Sequence, residues 1–347
     1  MVAVYFKSAS TPFAKDALHL AIKKLMEKIN VVEKGDTVAI KLHMGELGNI
    51  GYIRPIFVKK VVDFVKEKGG KPFITDTTAL YGGHRGDAID YLMTAAVNGF
   101  SIASMGCPVI IADGLLGRSE ELIDINGNKI AVAKAILEAD CLITLSHFKG
   151  HGMAGFGGAI KNLGMGCCSK AGKEWQHKKS KPLYNESKCI FCRQCLTFCP
   201  PKAIYEENGK IKIDYEKCKG CGACTVLCEE GCFYLTNDIA KEFQKRVAMA
   251  AKAALLKFEG KAAFMNFLLD ITPRCDCCSF ADKPMVADIG ILASNDAVAI
   301  DRASYDLVCK KVGKDIFYEL HGIDGNIQIN EGEKIGLGSK EYELIEI

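Results

Sequence analysis

The sequence predicts an α/β protein: a mostly parallel sheet with flanking helices, interrupted by a small inserted cysteine-rich module. Three observations carry this expectation. Short apolar, β-rich runs alternate with helical patterns up to residue 150 and again after residue 237. Eight cysteines stand in two matched runs between Cys189 and Cys228. The chain has 347 residues, enough for one large domain or two to three small ones. Strand–helix alternation at this spacing predicts parallel strands covered by helices. The simplest organisation is one α/β domain in two parts, 1–180 and 237–347, split by a module at 181–236. Two unrelated α/β domains are the alternative.

Taken in order, Val2 to Phe6 reads as an apolar strand. Thr11 offers an N-cap with Pro12 at the first helical position. Ala14, Leu18, Ala21, Leu25 and Ile29 then recur at helical spacing. Lys34-Gly35-Asp36 is a turn signal before the strand Thr37 to Leu42. Phe57 to Lys68 is helical and Gly69-Gly70 stops it. Pro72 to Thr75 is a strand, Asp87 to Val97 a helix. Val109 to Ala112 and Cys141 to Leu145 are strands flanking a helix over Ala131 to Glu138. Residues 169–188 are polar and lysine-rich and read as a linker, its lysines a solvated face or a lure for an acidic redox partner. YEENGKIKID reads as a hairpin around Asn208-Gly209. Asn237 to Phe258 is a long helix, Ala263 to Leu269 and Val286 to Leu292 are strands, and Ser294 caps a helix carrying Val298, Asp301, Leu307 and Val308. Glu341 to Ile347 is a closing strand.

Composition bounds the function. Charged residues are 25% and apolar residues 49%, ordinary for a globular protein. A net charge of +3 argues for neither nucleic acid nor membrane as partner. No apolar run reaches membrane-spanning length, and MVAVYFKSAS lacks a signal-peptide pattern. Seventeen cysteines without an export signal imply a reducing compartment, so a cytoplasmic location and an anaerobic habitat are expected.

In parallel sheets, ligands sit outside the carboxyl ends of the strands. The first such loop holds His43, Glu46, Tyr52 and Arg54. The second holds Asp76, Thr77, Thr78, Tyr81, His84 and Arg85. The richest is SHFKGHGMAGFGGAIKNLGMGCC after the Cys141 strand, with His147, Lys149, His151, Lys161, Cys167 and Cys168. Gly155, Gly157 and Gly158 could form an anion nest charged by Lys161, although the P-loop spacing is absent. His147, His151 and Lys161 are the candidate catalytic residues, as proton donors or binders of a small anionic substrate. Either histidine could instead serve a backbone carbonyl. Farther on, TPRCDCCSFADKP carries Cys275, Cys277 and Cys278. Cys275 and Cys277 share one side of an extended segment. With Cys167 and Cys168, the three cysteines Cys275, Cys277 and Cys278 give five thiols for a third metal or cluster site, or else buried apolar residues. Cys107, Cys141, Cys232 and Cys309 read as core.

The cysteine runs read CIFCRQCLTFCP and CKGCGACTVLC. Three thiolates at two-residue gaps can wrap three corners of one iron–sulfur cube, and the fourth ligand must come from elsewhere. Zinc ribbons, the alternative, usually space two CxxC pairs farther apart without a third cysteine. The stretch resembles the bacterial two-cluster ferredoxin, in which each run's fourth cysteine ligates the other run's cluster. The resemblance implies two [4Fe-4S] clusters. One is held by Cys189, Cys192, Cys195 and Cys228, the other by Cys218, Cys221, Cys224 and Cys199. Glu229 stands where the second run would carry proline.

The glycine-rich segment, the cysteine module, TPRCDC and DIGILASNDAVAID together resemble domain-of-unknown-function family 362 over nearly the whole chain. That resemblance implies a bisected α/β domain and no particular reaction. His151, AGFGG and Lys161 are also similar to the segment of nickel-dependent lactate racemases that reads H…AGFSGG..K. There the lysine anchors a nickel-pincer nicotinic cofactor and a later histidine binds nickel, a part His177 could play. Gly157 replaces that serine.

Three functions stay open. The first is an iron–sulfur oxidoreductase or redox-coupled protein, with an electron-donor or acceptor protein as partner. The second is a non-catalytic electron carrier or cluster-delivery protein. The third is a metal-dependent isomerase, with a nickel-type centre at His177 and Lys161. No strand-linked GxGxxG points to flavin or NAD.

Overall fold

The computed structural model describes residues 1–10, 13–81 and 83–347. Eight strands form one sheet: β1 (Val2–Ser8), β2 (Thr37–Lys41), β3 (Lys71–Asp76), β4 (Val109–Ile111), β5 (Cys141–His147), β6 (Ala262–Leu268), β7 (Gly290–Ser294) and β8 (Tyr342–Glu346). Their order is β8-β1-β7-β6-β5-β2-β3-β4. Five pairings are parallel; only β7 runs antiparallel to its neighbours, β1 and β6. The expected mostly parallel α/β sheet is therefore observed, and strands from both sides of the cysteine runs build it.

The strands are apolar on both faces because helices cover both. All seven residues of β5 are buried, and they alternate between two cores. Leu142 joins the side packed by α3 (Ala159–Gly166), α5 (Asn237–Leu255) and α6 (Ala297–Val312). Ile143 and Leu145 join the side packed by α1 (Leu18–Lys28) and α2 (Pro55–Glu67). Each such side chain contributes roughly 1.5–3 kcal/mol by leaving water. α3 lies close against α5 through Gly164, where an added Cβ would sit 2.3 Å from the Val247 carbonyl oxygen.

The cysteine segment is small. Ile204–Glu207 and Lys210–Ile213 pair around Asn208 and Gly209, both at positive φ, as the sequence predicts. Leu183–Tyr184 pairs with Phe233–Tyr234, drawing the ends of the segment together.

Several expectations are corrected. The predicted cap at Thr11 and Pro12 lies outside the described residues; the helix begins at Leu18. Ala131 to Glu138 is not one helix. Asn128–Ala133 is a strand paired with Glu120–Ile125, and only Lys134–Leu137 is helical. The signal was Asn126-Gly127, a two-residue turn with both φ positive. The predicted Val286 strand begins at Gly290, and Asp296 rather than Ser294 caps α6, accepting from the Val298 and Ala299 amides. The lysine-rich linker contains the helix α4 (Lys170–His177), with Lys173, Gln176 and His177 buried. Among the described residues no helix is long and apolar enough to cross a membrane.

Candidate functional site

The carboxyl ends of β2, β3 and β5 open into a cavity of about 1090 Å³. One wall carries residues at or just past those ends, including Lys41, Asp76 and His147. Another carries Cys221, Gly222, Cys228 and Glu229 from the cysteine segment. A third is the turn with Cys275, Cys277 and Cys278. Of the other strand-end residues, Tyr52 donates to the Asn98 carbonyl and Arg54 pairs with Asp270, so neither joins the lining.

Most charge on these walls is neutralised in place. Lys41 lies 2.9 Å from Asp76 and donates to Asn162 Oδ1 at 2.6 Å. Burial works against the Asp76 charge, but Lys41 and then His43 hold its carboxyl down at about 2. Arg85 pairs with Glu46 at 2.8 Å. Asp276 receives His147 Nδ1 at 2.9 Å and Lys149 Nζ at 2.9 Å. Against the pull of burial, those two partners keep Asp276 well below the usual carboxylate range. His147 Nε2 meets the Leu269 carbonyl at 2.9 Å. Both ring nitrogens thus face acceptors inside the protein, and His147 positions the Asp276 turn rather than facing a ligand.

Lys161 is different. It lines the cavity and makes no ion pair or hydrogen bond among the described residues. Around it stand two neutral histidines. His151 Nδ1 accepts from the Met153 amide at 3.2 Å, so its proton is on Nε2. Burial and then Lys161 push its pKa well below the ordinary value. His177 Nδ1 donates to the Gly220 carbonyl at 3.0 Å, which leaves Nε2 a bare lone pair. Burial, reinforced by Lys161, pushes His177 down to about 4. Gly220 lies between Cys218 and Cys221, so this bond ties α4 to the cysteine segment. His43 accepts from the Gly45 amide at Nδ1, and its buried Nε2 has no partner among the described residues.

Gly155 and Gly157 of the expected anion nest pair in a short hairpin with His151 and Lys149, and the next amides along are taken by a carboxylate. The Ala159 and Ile160 amides, at the start of α3, donate to Asp301 at 2.6 and 2.9 Å. Asn266 donates to the same carboxylate at 2.8 Å.

The five outer thiols do not converge. Cys167 and Cys168 are fully buried, and burial pushes both up to about 12. Cys275, Cys277 and Cys278 lie on the cavity wall. Among the described residues no group of three His, Cys, Asp or Glu side chains is arranged to hold a single metal ion. The eight run cysteines gather in two groups. Burial, then Cys189, Cys192 and Cys228, push Cys195 up to about 11. Burial, then Cys221, Cys218 and Cys199, push Cys224 above its ordinary value. Cys232 adds a fifth thiol in contact with Cys228 and Cys189. Such crowding disfavours thiolates unless positive charge lies among them, and a four-iron cube supplies it; the donor sets fit that group.

Sequence reasoning missed four residues here, the buried Lys41, Asp276 and Lys173 and the half-buried Asn162. Lys41 had a signal, a charge inside an apolar strand. Asp276, Asn162 and Lys173 had none. Lys173 is held by Thr77 Oγ1, the Thr78 carbonyl and the Cys168 carbonyl at 2.5–2.8 Å.

A family model described as "Domain of unknown function (DUF362)" matches residues 38–306, most of the frame together with the cysteine runs. The chain belongs to the DUF362 family. This DUF362 protein is similar to the pyruvate synthase subunit PorD of Methanocaldococcus jannaschii, 49% identical over 49 residues. The match covers 14% of this chain and 57% of that subunit, so the chain spans little more than half of it. A thylakoid-associated protein of Synechocystis is 28% identical over 218 residues, 59% of this chain and 65% of that one. The lactate racemase apoprotein of Thermoanaerobacterium thermosaccharolyticum aligns at 15% identity and a TM-score of 0.40, over 78% of this chain and 51% of that one. The DUF362 chain thus carries a ferredoxin-like, iron–sulfur type of cysteine segment, shared with an oxidoreductase subunit.

Proposed function

We propose that this DUF362 protein is an iron–sulfur electron-transfer protein, and a redox-coupled enzyme, in which two [4Fe-4S] clusters exchange electrons with an anionic ligand in the cavity. Cys189, Cys192, Cys195 and Cys228 hold one cluster, and Cys218, Cys221, Cys224 and Cys199 the other. When bound, the clusters supply low-potential one-electron transfer. The observation that carries the reading is the shared cavity: Cys221 and Cys228 line it together with Lys161. Lys161 binds the anion, the one role its lack of a protein partner leaves it. His151 Nε2–H donates to the same ligand. Arg85, Lys149 and Lys41 have partners of their own, so they shape the wall. An electron-donor or acceptor protein is the implied partner, in a reducing cytoplasm.

One observation favours a second reading, a metal-dependent isomerase. A histidine that donates through Nδ1 to a carbonyl and bares Nε2 is set as metal ligands usually are, and His177 is so set.

Anaerobic iron and sulfide analysis with electron paramagnetic resonance tests both. About eight irons per chain are expected. Lys161→Ala should keep them and lose the shift in cluster signal that a bound carboxylate or phosphate causes. Zinc in place of iron sinks the proposal. Nickel, or a covalent adduct on Lys161, moves the case to the isomerase.

A further inference from the structure

We propose that Cys275 and Cys277 form a dithiol–disulfide couple that collects two electrons in the cavity. The proposal rests on the electron-transfer reading above and adds a residue pair that the reading leaves idle.

The geometry starts from one turn. The Cys278 amide donates to the Cys275 carbonyl at 3.1 Å, closing four residues into a loop. Cys275 and Cys277 flank Asp276 in this turn, and both line the cavity. Asp276 is 1% exposed and locked to His147 and Lys149. Its carbonyl also accepts from the Glu46 amide at 3.2 Å, and the Cys278 carbonyl accepts from Asn49 Nδ2 at 3.2 Å. The Cys275 and Cys277 sulfurs line the cavity in contact with each other, and Cys277 also touches Cys278.

A single metal ion explains these thiols less well: Cys278 touches Cys277, yet among the described residues no group of three His, Cys, Asp or Glu is arranged to hold one. Burial as plain apolar residues explains them less well too, since both sulfurs line the cavity that Lys161 also lines, even though contact with Cys277 and burial hold the Cys275 thiol well above its usual range.

The chemistry balances. A low-potential one-electron donor protein supplies two electrons, one at a time, through the clusters. The Cys275–Cys277 bond breaks, each sulfur takes one proton from solvent, and two thiols result. The reverse step returns two electrons and two protons to a disulfide-forming oxidant. A one-electron relay thereby gains a two-electron store beside the ligand site.

The experiment is an anaerobic reductive titration of the whole holoprotein, first oxidised with diamide, then reduced stepwise with dithionite. Wild type should take up about two more electrons per chain than Cys275→Ser/Cys277→Ser, at equal iron content and equal cluster signals. Differential alkylation read by mass spectrometry should find Cys275 and Cys277 unlabelled before reduction and labelled after it. That second readout uses wild type alone and stands even where the variant fails to fold. Equal uptake with intact clusters, or thiols labelled equally throughout, overturns the couple. A metal lost only in the variant overturns it as well. A wild type without iron fails the electron-transfer reading itself, and is recognised by that lack before any thiol is counted.

Discussion

The α/β frame and the cysteine segment are built on opposite terms. The frame seals its charges in pairs, Lys41 with Asp76 and Lys149 with Asp276, between two large apolar cores. The segment has a core of five buried residues, of which Cys195 and Cys232 are two. Its ion pairs, such as Arg193 with Glu206, are largely exposed. Exposed pairs contribute little and a core that small contributes few kcal/mol. The frame is therefore self-supporting, and the segment depends on what its thiols bind.

The largest expected effect separates the two. Chelating the iron anaerobically should unfold the segment and spare the sheet, because ligand-binding energy is folding energy in so small a unit. Hydrogen exchange checks this: amides around Cys195 and Cys224 should lose protection while those of β5 and β6 keep it. Uniform loss would mean that the frame leans on the segment.

Next comes Asp276→Ala. It strands His147 and Lys149 without their carboxylate, and breaking one side of such a buried pair costs about 3–5 kcal/mol. Urea unfolding measures it. A cost under about 1 kcal/mol, the exposed-pair value, would erase the contrast.

Acid gives a smaller effect with a definite sign. Asp76 sits at about 2 in the folded frame, against about 4 unfolded. Its contribution is complete above pH 4 and is lost as pH falls through 2. That is about 2 kcal/mol. In iron-free protein, unfolding free energies at pH 5 and pH 2.5 should differ by that much less in Asp76→Asn than in wild type. Equal pH slopes would detach the Lys41 pair from frame stability.

The smallest effect belongs to the surface. Arg54 and Asp270 pair outside the cavity, 51% and 33% exposed. Arg54→Ala should cost under about 1 kcal/mol in the same urea assay.

Local pattern revealed what local pattern decides. The strands of the large sheet were legible because apolar β-rich runs end in glycine or polar turns, and the strand-end rule led to the loops that line the cavity. Buried polar residues were not legible, because their partners are remote in sequence. Lys173 sits in a lysine-rich stretch that reads as solvated; Thr77 and Thr78, nearly a hundred residues earlier, take it inside. The glycine loop reads as an anion site because Asp301, which takes the Ala159 and Ile160 amides just after it, comes some 140 residues later. Asp276 hid between two cysteines that drew attention to their sulfur. His147 looked reactive by type, and only its two acceptors show that it is a fixture.

The order of the sheet also sets an order of assembly. Strands β2 to β5 are neighbours and can pair once residue 147 has been made. β1 cannot, because its partners are β7 and β8, which follow much later in the chain. The free edge of β5 waits for β6, and the whole cysteine segment emerges in between. A chain leaving the ribosome thus carries an unpaired apolar strand at its start and an open sheet edge in its middle, both invitations to wrong pairing. The cysteine segment meets its first chance to bind iron while that edge is still open.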